Sequence, residues 1–451
     1  MRKLTALILT GILITFSLVG CGQNTRLNPS SPTTLSIWHV YGNQSESPFN
    51  DAIDEFNSTV GKEKGVFVSV TSMVDSDSID QHLFDAAKGV PGSGDFPDLF
   101  TAYPRVAEGI GEELLTDWNE IYSEEELSVF VDDFLAEGNI SGRQLTLPIA
   151  KSTELLFVNK TLFDRFANES GFSVKDFETF DGLFEMASAY YEWSDGKDLF
   201  QYDDFYNYFL INVAAKGDEL IKNGKVNCDT NEFKDVFYAI AEPGIEGGIS
   251  LYDNFGSDLW KTGDIISYIG SSAGILYTRD DVTYPDNSVE KIELSVLAYP
   301  VFEGAAPTVM QRGVTLFAHK TDDAKKNKAM EIFVDFLAEK DNNIEFASAS
   351  GYIPGTDEAF EGLFSNLEGV ENPKYRMLYE AVSDMYGKYT FKPLPVFENS
   401  SAVQKEFDGN VTNILSKARA EYQARVSAGE DKNTVLPELC EKALNELKSK
   451  Y

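Results

Sequence analysis

Apolar positions along the chain switch between alternating and helical spacing, and the switches divide it into strands and helices. Leu35 to Tyr41 (LSIWHVY) reads as a strand. Pro48 suits the first turn of a helix, and Phe49, Ala52, Ile53 and Phe56 follow at i, i+3, i+4 and i+7. Val66 to Thr71 is a second strand, so strand, helix and strand form a βαβ unit, which favours a parallel sheet. Similar units recur, with strands expected at Asp98–Ala102, Leu155–Asn159, Ile265–Ile269, Leu294–Ala298 and Gly313–Ala318. The helix after the last of these carries Ala329, Ile332, Phe333, Phe336 and Leu337 on one stripe and should face a core. Val403 to Leu447, rich in Ala, Glu and Lys, reads as two helices on the outside of a lobe. Pro148 lies between two extended segments, so the chain passes there without a helix. No repeat of fixed period is present.

The segment before the first strand has a different character. Residues 22–34 (GQNTRLNPSSPTT) are polar and suit a flexible tether, with the fold expected to begin near Leu35. Arg2 and Lys3 precede an apolar stretch, Leu4 to Val19, and Gly20 stands before Cys21. This is the order of an export signal, with an uncleaved anchor as the alternative. A bilayer span needs roughly 20 strongly apolar residues, and this stretch is short and diluted by Gly, Thr and Ser. Leu18-Val19-Gly20-Cys21 resembles the lipobox, which implies that residues 1–20 are removed and that Cys21 becomes the lipidated first residue. One acyl chain binds a membrane only marginally, so firm anchoring requires a multiply acylated cysteine. The expected location is the outer face of the cell membrane.

Composition narrows the remainder. About 430 residues follow Cys21, against roughly 100 to 200 per domain, so two lobes are expected. Hydrophobic residues make up 43% and aromatics 13%, as in a globular protein. The formal charge of −35 becomes two units more negative when Arg2 and Lys3 leave. Such a chain lacks the clustered cations that nucleic acid or an anionic lipid surface requires. Cys228 and Cys440 stand far apart and give no disulfide framework, so two free thiols or at most one bridge are expected. His39, His82 and His319 have no HExxH or CxxC company, so no metal site follows.

Few motifs carry chemistry. Gly270-Ser271-Ser272-Ala273-Gly274 satisfies GxSxG after a strand, with His319 downstream, which permits a serine hydrolase using Ser272. The competing reading is a turn of small residues whose hydroxyls and N–H groups face a pocket for a hydroxylated ligand. Phosphate-binding glycine loops are absent, the acidic stretch Asp75–Asp80 lacks the Gly and closing Glu of a calcium loop, and no cofactor is implied. Aromatics instead gather near strand and loop ends, among them Trp38, Tyr41, Tyr103, Tyr202, Phe205 and Tyr352. A sugar ring, with a C–H face and a hydroxyl edge, wants a flat aromatic beside hydrogen-bonding groups.

Several segments in order resemble the extracellular solute-binding proteins of ABC importers, the group with maltose- and glycerol-3-phosphate-type members. These are LSIWHVY with Phe56-Asn57, Pro97-Asp98 opening a strand, and LPIAKSTELLFVNKTLF from Leu147. GDIISYIGSSAG from Gly263, RGVTLFAHK with its helix to FLAEKD, and GYIP from Gly351 complete the series. The resemblance implies an α/β fold of the two-lobe periplasmic-binding-protein type (type II), each lobe a mixed, mainly parallel sheet flanked by helices. It places crossovers near 148, 300 and 338, with residues 35–147 plus 303–337 in the first lobe and 148–302 plus 338–451 in the second. The lobes would close on a small ligand by hinge motion, as a non-catalytic monomer that serves a membrane permease and its ATPase. Pocket positions carried over by the resemblance are Trp38, Tyr41, Tyr103, Ser152, Tyr202, Phe205, Ser271, Ser272, Arg312, Gly313 and Tyr352. The chain departs from the glycerophosphate branch at Pro104, where that branch has an acid, at Tyr202 and Phe205, where it has paired tryptophans, and at Lys392, where it has an arginine. A sugar or oligosaccharide is therefore the first reading, with glycerol-3-phosphate or a glycerophosphodiester, met by Arg312 or Lys392, as the alternative.

Overall fold

The computed structural model describes residues 25–41, 47–397 and 399–451. Cys21, and with it the lipidation site and the export signal, lies outside the described residues. The sheet-forming strands, in chain order, are β1 (Thr33–His39), β2 (Val66–Ser72), β3 (Leu99–Ala102), β4 (Thr146–Leu147) and β5 (Ala150–Asn159). They continue with β6 (Phe200–Tyr202), β7 (Ile249–Ser250), β8 (Ser267–Ser271), β9 (Leu294–Leu297) and β10 (Thr308–Arg312). The last three are β11 (Thr315–Ala318), β12 (Ile353–Pro354) and β13 (Thr390–Lys392).

The first sheet has the order β2-β1-β3-β11-β4, parallel from β2 to β3 and antiparallel beyond. The second has the order β7-β6-β8-β5-β10-β13, and β9 and β12 also pair with β5. Every pairing made by β5 is antiparallel, while β7 with β6, β6 with β8, and β10 with β13 are parallel. Each sheet has its own apolar core, so the molecule has two mixed α/β lobes.

Helices fall where the spacing put them. Helix α1 (Pro48–Ser58) starts on Pro48, is capped by Ser47, which accepts from the Asn50 N–H, and buries Phe49, Ile53 and Phe56. Helix α2 (Ser76–Ala87) is capped by Asp75 in the same way. Helix α3 (Phe205–Ala215) is buried on most of its surface, which is why it shows no clear stripe. In α4 (Ala324–Ala338) the expected stripe is present and widened by the buried Met330 and Val334. Helices α5 (Lys340–Ser350), α6 (Ser400–Ser427) and α7 (Lys432–Lys448) complete the set used below.

Three differences from the sequence reading have physical causes. The body begins before Leu35: Thr33 opens β1 and donates to Gly65 O, Asn28 and Pro29 lie against Gly65, and Leu27 packs on the first core. Strand β5 begins at Ala150 rather than Leu155, because its polar residues find buried partners. Residues 308–312, expected with the first lobe, form β10 and pair in the second sheet, so the crossing falls at Gly313–Val314 and not near 300. Pro148 and Ile149 lie between β4 of the first sheet and β5 of the second. Along α5 the chain passes between lobes again, with Phe346 against Tyr41 and Phe49 of the first lobe and β12 beside β5 of the second.

The first two crossings are clamped together. Lys151, wholly buried, places its Nζ 2.5 Å from Glu137 Oε2 and 2.7 Å from the Gly313 carbonyl, and Gln311 Nε2 donates to the same Glu137 oxygen at 2.9 Å. Gly313 has φ of 98°, and a Cβ there would stand 3.0 Å from Ser152 N, so only glycine fits without strain. Removing one partner of a buried pair leaves the other charged and unpaired. Lys151→Met is therefore expected to cost about 3–5 kcal/mol in chemical denaturation, with part of that loss recovered in Lys151→Met/Glu137→Gln.

Candidate functional site

Strands β8, β5 and β10 are neighbours in the second sheet, and a buried carboxylate organises the floor they form. Glu154, central in β5 and fully buried, accepts from Tyr202 Oη at 2.7 Å, Asn207 Nδ2 at 2.8 Å and Arg312 Nη1 at 3.1 Å. Tyr202 Oη also bonds Tyr299 Oη at 2.8 Å, which in turn accepts from Asn212 at 3.2 Å. Burial pushes the Glu154 carboxyl above the usual carboxylate range, opposed by Arg312, Tyr202 and Asn207. Three donors on two oxygens suit an acceptor-only group, so Glu154 is ionised opposite Arg312. Burial works against the Arg312 charge, but Tyr103, Glu154 and Asp204 outweigh it and hold the guanidinium protonated.

Aromatic rings form the facing wall. Tyr103, just after β3, is half-buried and carries the Arg105 guanidinium 4.6 Å above its ring. Tyr352 meets Tyr41 edge-on at 4.9 Å, and Tyr41 donates to the Val314 carbonyl at 3.2 Å. Tyr352 lies near Tyr103, Tyr277 and Arg312, and Tyr277 is 42% exposed. Tyr41 and Tyr103 come from the first lobe, Tyr277 follows β8 of the second, and Tyr352 stands where α5 joins β12; the lobes also touch through Lys405 of α6 and Asp77 of α2 at 3.2 Å.

Carboxylates crowd the start of α3. Asp203 accepts from Gly256 N at 2.7 Å, and burial pushes it up to about 7. Asp204 caps α3 through Asn207 N and also takes Gln404 Nε2 at 2.8 Å. Asp408 accepts from Phe205 N at 2.5 Å and is likewise pushed up to about 7, chiefly by burial and then by Asp204. In the first lobe Asp80 lies 3.7 Å from Arg105, and burial lifts it to about 7 in spite of that cation. Among the described residues no group of three or more His, Cys, Asp or Glu is arranged to hold a metal ion.

The structure sorts the residues singled out in the sequence. Tyr41, Tyr103, Arg312 and Tyr352 come together. Ser271 and Ser152 join them on the floor, with Ser271 Oγ donating to Ser152 Oγ at 3.2 Å and Arg312 opposite Ser152 in register. Gly313 serves the crossing. Four residues stand elsewhere. Trp38 lies on the other face of β1 from His39, edge-on to His82 at 6.5 Å. Tyr202 is buried beneath the floor with its hydroxyl committed to Glu154 and Tyr299, and Phe205 packs in the second core. Ser272 is fully buried, and its Oγ accepts from Thr153 N at 3.4 Å. His319 sits in the first lobe against Phe96, so it is not a general base for Ser272. The glycine opening the GxSxG pattern has a structural cause, since a Cβ at Gly270 would collide with Asp203. Cys228 and Cys440 are both buried free thiols.

Glu154, Arg105, Asp203, Asp408 and Tyr277 were missed. Only Glu154 left a signal, a lone acid next to the apolar run Leu155–Val158.

The raised carboxyls predict a pH dependence. Asp80, Asp203 and Asp408 have folded-state values near 7 against an ordinary 3.8, so the folded state holds extra protons between those limits. Their stabilisation is complete below the unfolded value and is lost as pH rises through 7. His39 acts oppositely: burial lowers it to about 4, so its contribution is lost as pH falls through the range below 6.5. Between pH 8 and 6.5 the carboxyls dominate, and Tm should rise as the solution is acidified. Asp408→Asn should raise Tm at pH 8 by roughly 2 °C or more and flatten that slope in a thermal melt series.

Comparisons with known proteins agree with this architecture. The family described as bacterial extracellular solute-binding protein matches residues 51–372. No curated protein matches the chain by sequence. Among solved structures, the cyclic alpha-maltosyl-1,6-maltose binding protein from Arthrobacter globiformis superposes with a TM-score of 0.65 at 19% identity, covering 93% of this chain and 100% of its own. UgpB from Mycobacterium tuberculosis, in complex with glycerophosphocholine, gives 0.67 at 16% identity, with 93% and 100% covered. An ABC substrate-binding protein from Listeria monocytogenes, in complex with cycloalternan, gives 0.64 at 13% identity over the same shares. These likenesses establish the two-lobe fold of periplasmic binding proteins, and the family match, spanning well over half of the sequence, shows that the chain belongs to the bacterial extracellular solute-binding proteins.

Proposed function

We propose that this protein captures a saccharide between its lobes and delivers it to the permease of an ABC importer, acting as a non-catalytic monomer. The observation that carries the reading is the placing of tyrosines at the boundary between the lobes beside a hydroxyl- and guanidinium-bearing floor from the second lobe. Tyr103 and Tyr352 supply half-buried rings, while Ser271 and Arg312 supply hydrogen-bonding groups. Contact with both lobes is available only when they are closed, so ligand binding and closure are thermodynamically linked. Similar folds belong to a cyclic alpha-maltosyl-1,6-maltose binding protein and to a protein in complex with cycloalternan, which supports a sugar for this cleft. The likeness to a glycerophosphocholine complex supports the second reading, in which Arg312 meets a phosphate. The other cation considered for that role, Lys392, is exposed on β13.

The anchoring reading rests on the sequence around Cys21. Among the described residues no helix is long and apolar enough to cross a membrane. Membrane attachment is assigned to a lipid on Cys21 from the resemblance of Leu18-Val19-Gly20-Cys21 to the lipobox. A tether keeps the protein near its permease and raises its effective concentration there.

Titration calorimetry of mono- and oligosaccharides against the full-length protein in mild detergent should give heat with at least one. Tyr352→Ala should weaken that binding by about 1–3 kcal/mol. Absence of heat across the panel counts against a sugar, and unchanged affinity in Tyr352→Ala returns the ring to packing. Cells given radiolabelled palmitate should label the wild type, whereas Cys21→Ala should lose the label and appear in the medium.

A further inference from the structure

We propose that Glu154 sets the ligand class of the cleft: by engaging Arg312 from beneath, it turns the floor's arginine from a phosphate receptor into a hydrogen-bond donor for uncharged, hydroxylated ligands. The inference rests on the solute-binding role of the cleft and selects between its two ligand classes. A phosphate ester needs a cation whose charge is not already matched. Arg312 is matched at 3.1 Å by a carboxylate that is itself 1% exposed. A phosphate drawing the guanidinium away would strand Glu154 in the interior with only Tyr202 and Asn207 on its oxygens.

The surroundings reinforce the exclusion. Asp203 and Asp204 lie within electrostatic range of Arg312, and Asp408 lies beside Asp204. The nearby first-lobe cation, Arg105, faces Asp80 and covers Tyr103. At pH 8, above the raised values of Asp203 and Asp408, acids outnumber cations around the floor, and a phosphate entering it meets net repulsion. Neutral hydroxyls meet no such penalty and accept from the edge of a guanidinium already fixed in place. Glu154 is therefore a positioning residue that acts through Arg312.

The test is calorimetry with glycerol 3-phosphate, inorganic phosphate and neutral saccharides, on full-length wild type, Glu154→Gln and Glu154→Gln/Arg312→Gln. Wild type should give no heat with either phosphate up to millimolar concentration. Glu154→Gln should gain glycerol 3-phosphate affinity at least tenfold, and the double variant should lose the gain. A structural role for Glu154 alone would not create phosphate binding. Arg312-dependent phosphate binding by wild type overturns the inference, and so does a folded Glu154→Gln that gains nothing. Glu154→Met replaces the first variant if Gln is not tolerated, and failure of both to fold makes Glu154 a structural brace and also overturns it. If no saccharide binds wild type while Glu154→Gln still gains phosphate, the saccharide reading falls and the role of Glu154 stands.

Discussion

Four consecutive polar residues buried in one strand hold this structure to its function. Lys151, Ser152, Thr153 and Glu154 all lie in β5, whose ten positions are all buried. A buried polar group without a partner is costly, so each of the four dictates what stands next to it. Lys151 takes Glu137 and the Gly313 carbonyl, Thr153 takes the Met310 carbonyl, Ser152 takes Ser271, and Glu154 takes Arg312, Tyr202 and Asn207. Strand alternation separates the tasks, with Lys151 and Thr153 facing one way and Ser152 and Glu154 the other. Lys151 fastens the crossings between lobes, Thr153 ties β5 to β10 within the second sheet, and Ser152 and Glu154 build the floor of the cleft.

Much of the fold was legible because it depends on local pattern. The first βαβ unit, the stripe on α4 and the two terminal helices appear where apolar spacing placed them. The errors fall where distant partners decide. Ala150 to Glu154 carry no apolar alternation that marks an interior strand, because Lys151 is satisfied by Glu137 and the Gly313 carbonyl, and Glu154 by Tyr202 of β6, Asn207 of α3 and Arg312 of β10. The second crossing moved from near 300 to Gly313 because residues 308–312 pair with both β5 and β13, a choice that no local spacing reveals.

The site was legible in part for the same reason. Tyr41, Tyr103, Arg312 and Tyr352 come together, whereas Tyr202 and Phe205 lie behind the floor rather than on it. An aromatic on the surface of a cleft and one that supports it from below have the same signature in sequence. Ser272 shows the complementary case: its motif was present, yet burial against Thr153 N and the distance of His319 in the other lobe remove the chemistry that the motif suggests.

Charge is the thread between anchor, fold and ligand. The chain is strongly acidic overall, and its cleft repeats that bias, with one floor cation held by a buried acid. Such a cleft is preorganised: its hydrogen-bonding groups are fixed before a ligand arrives, which lowers the ordering cost of binding. The central claim is that this fixed floor receives a neutral ligand between the lobes. A crystal structure of the saccharide-bound protein tests it most directly. The account predicts density between Tyr103, Tyr352 and Arg312, with Arg312 and Glu154 still within hydrogen-bonding distance. Density outside the cleft, or a ligand that has drawn Arg312 away from Glu154, would contradict it.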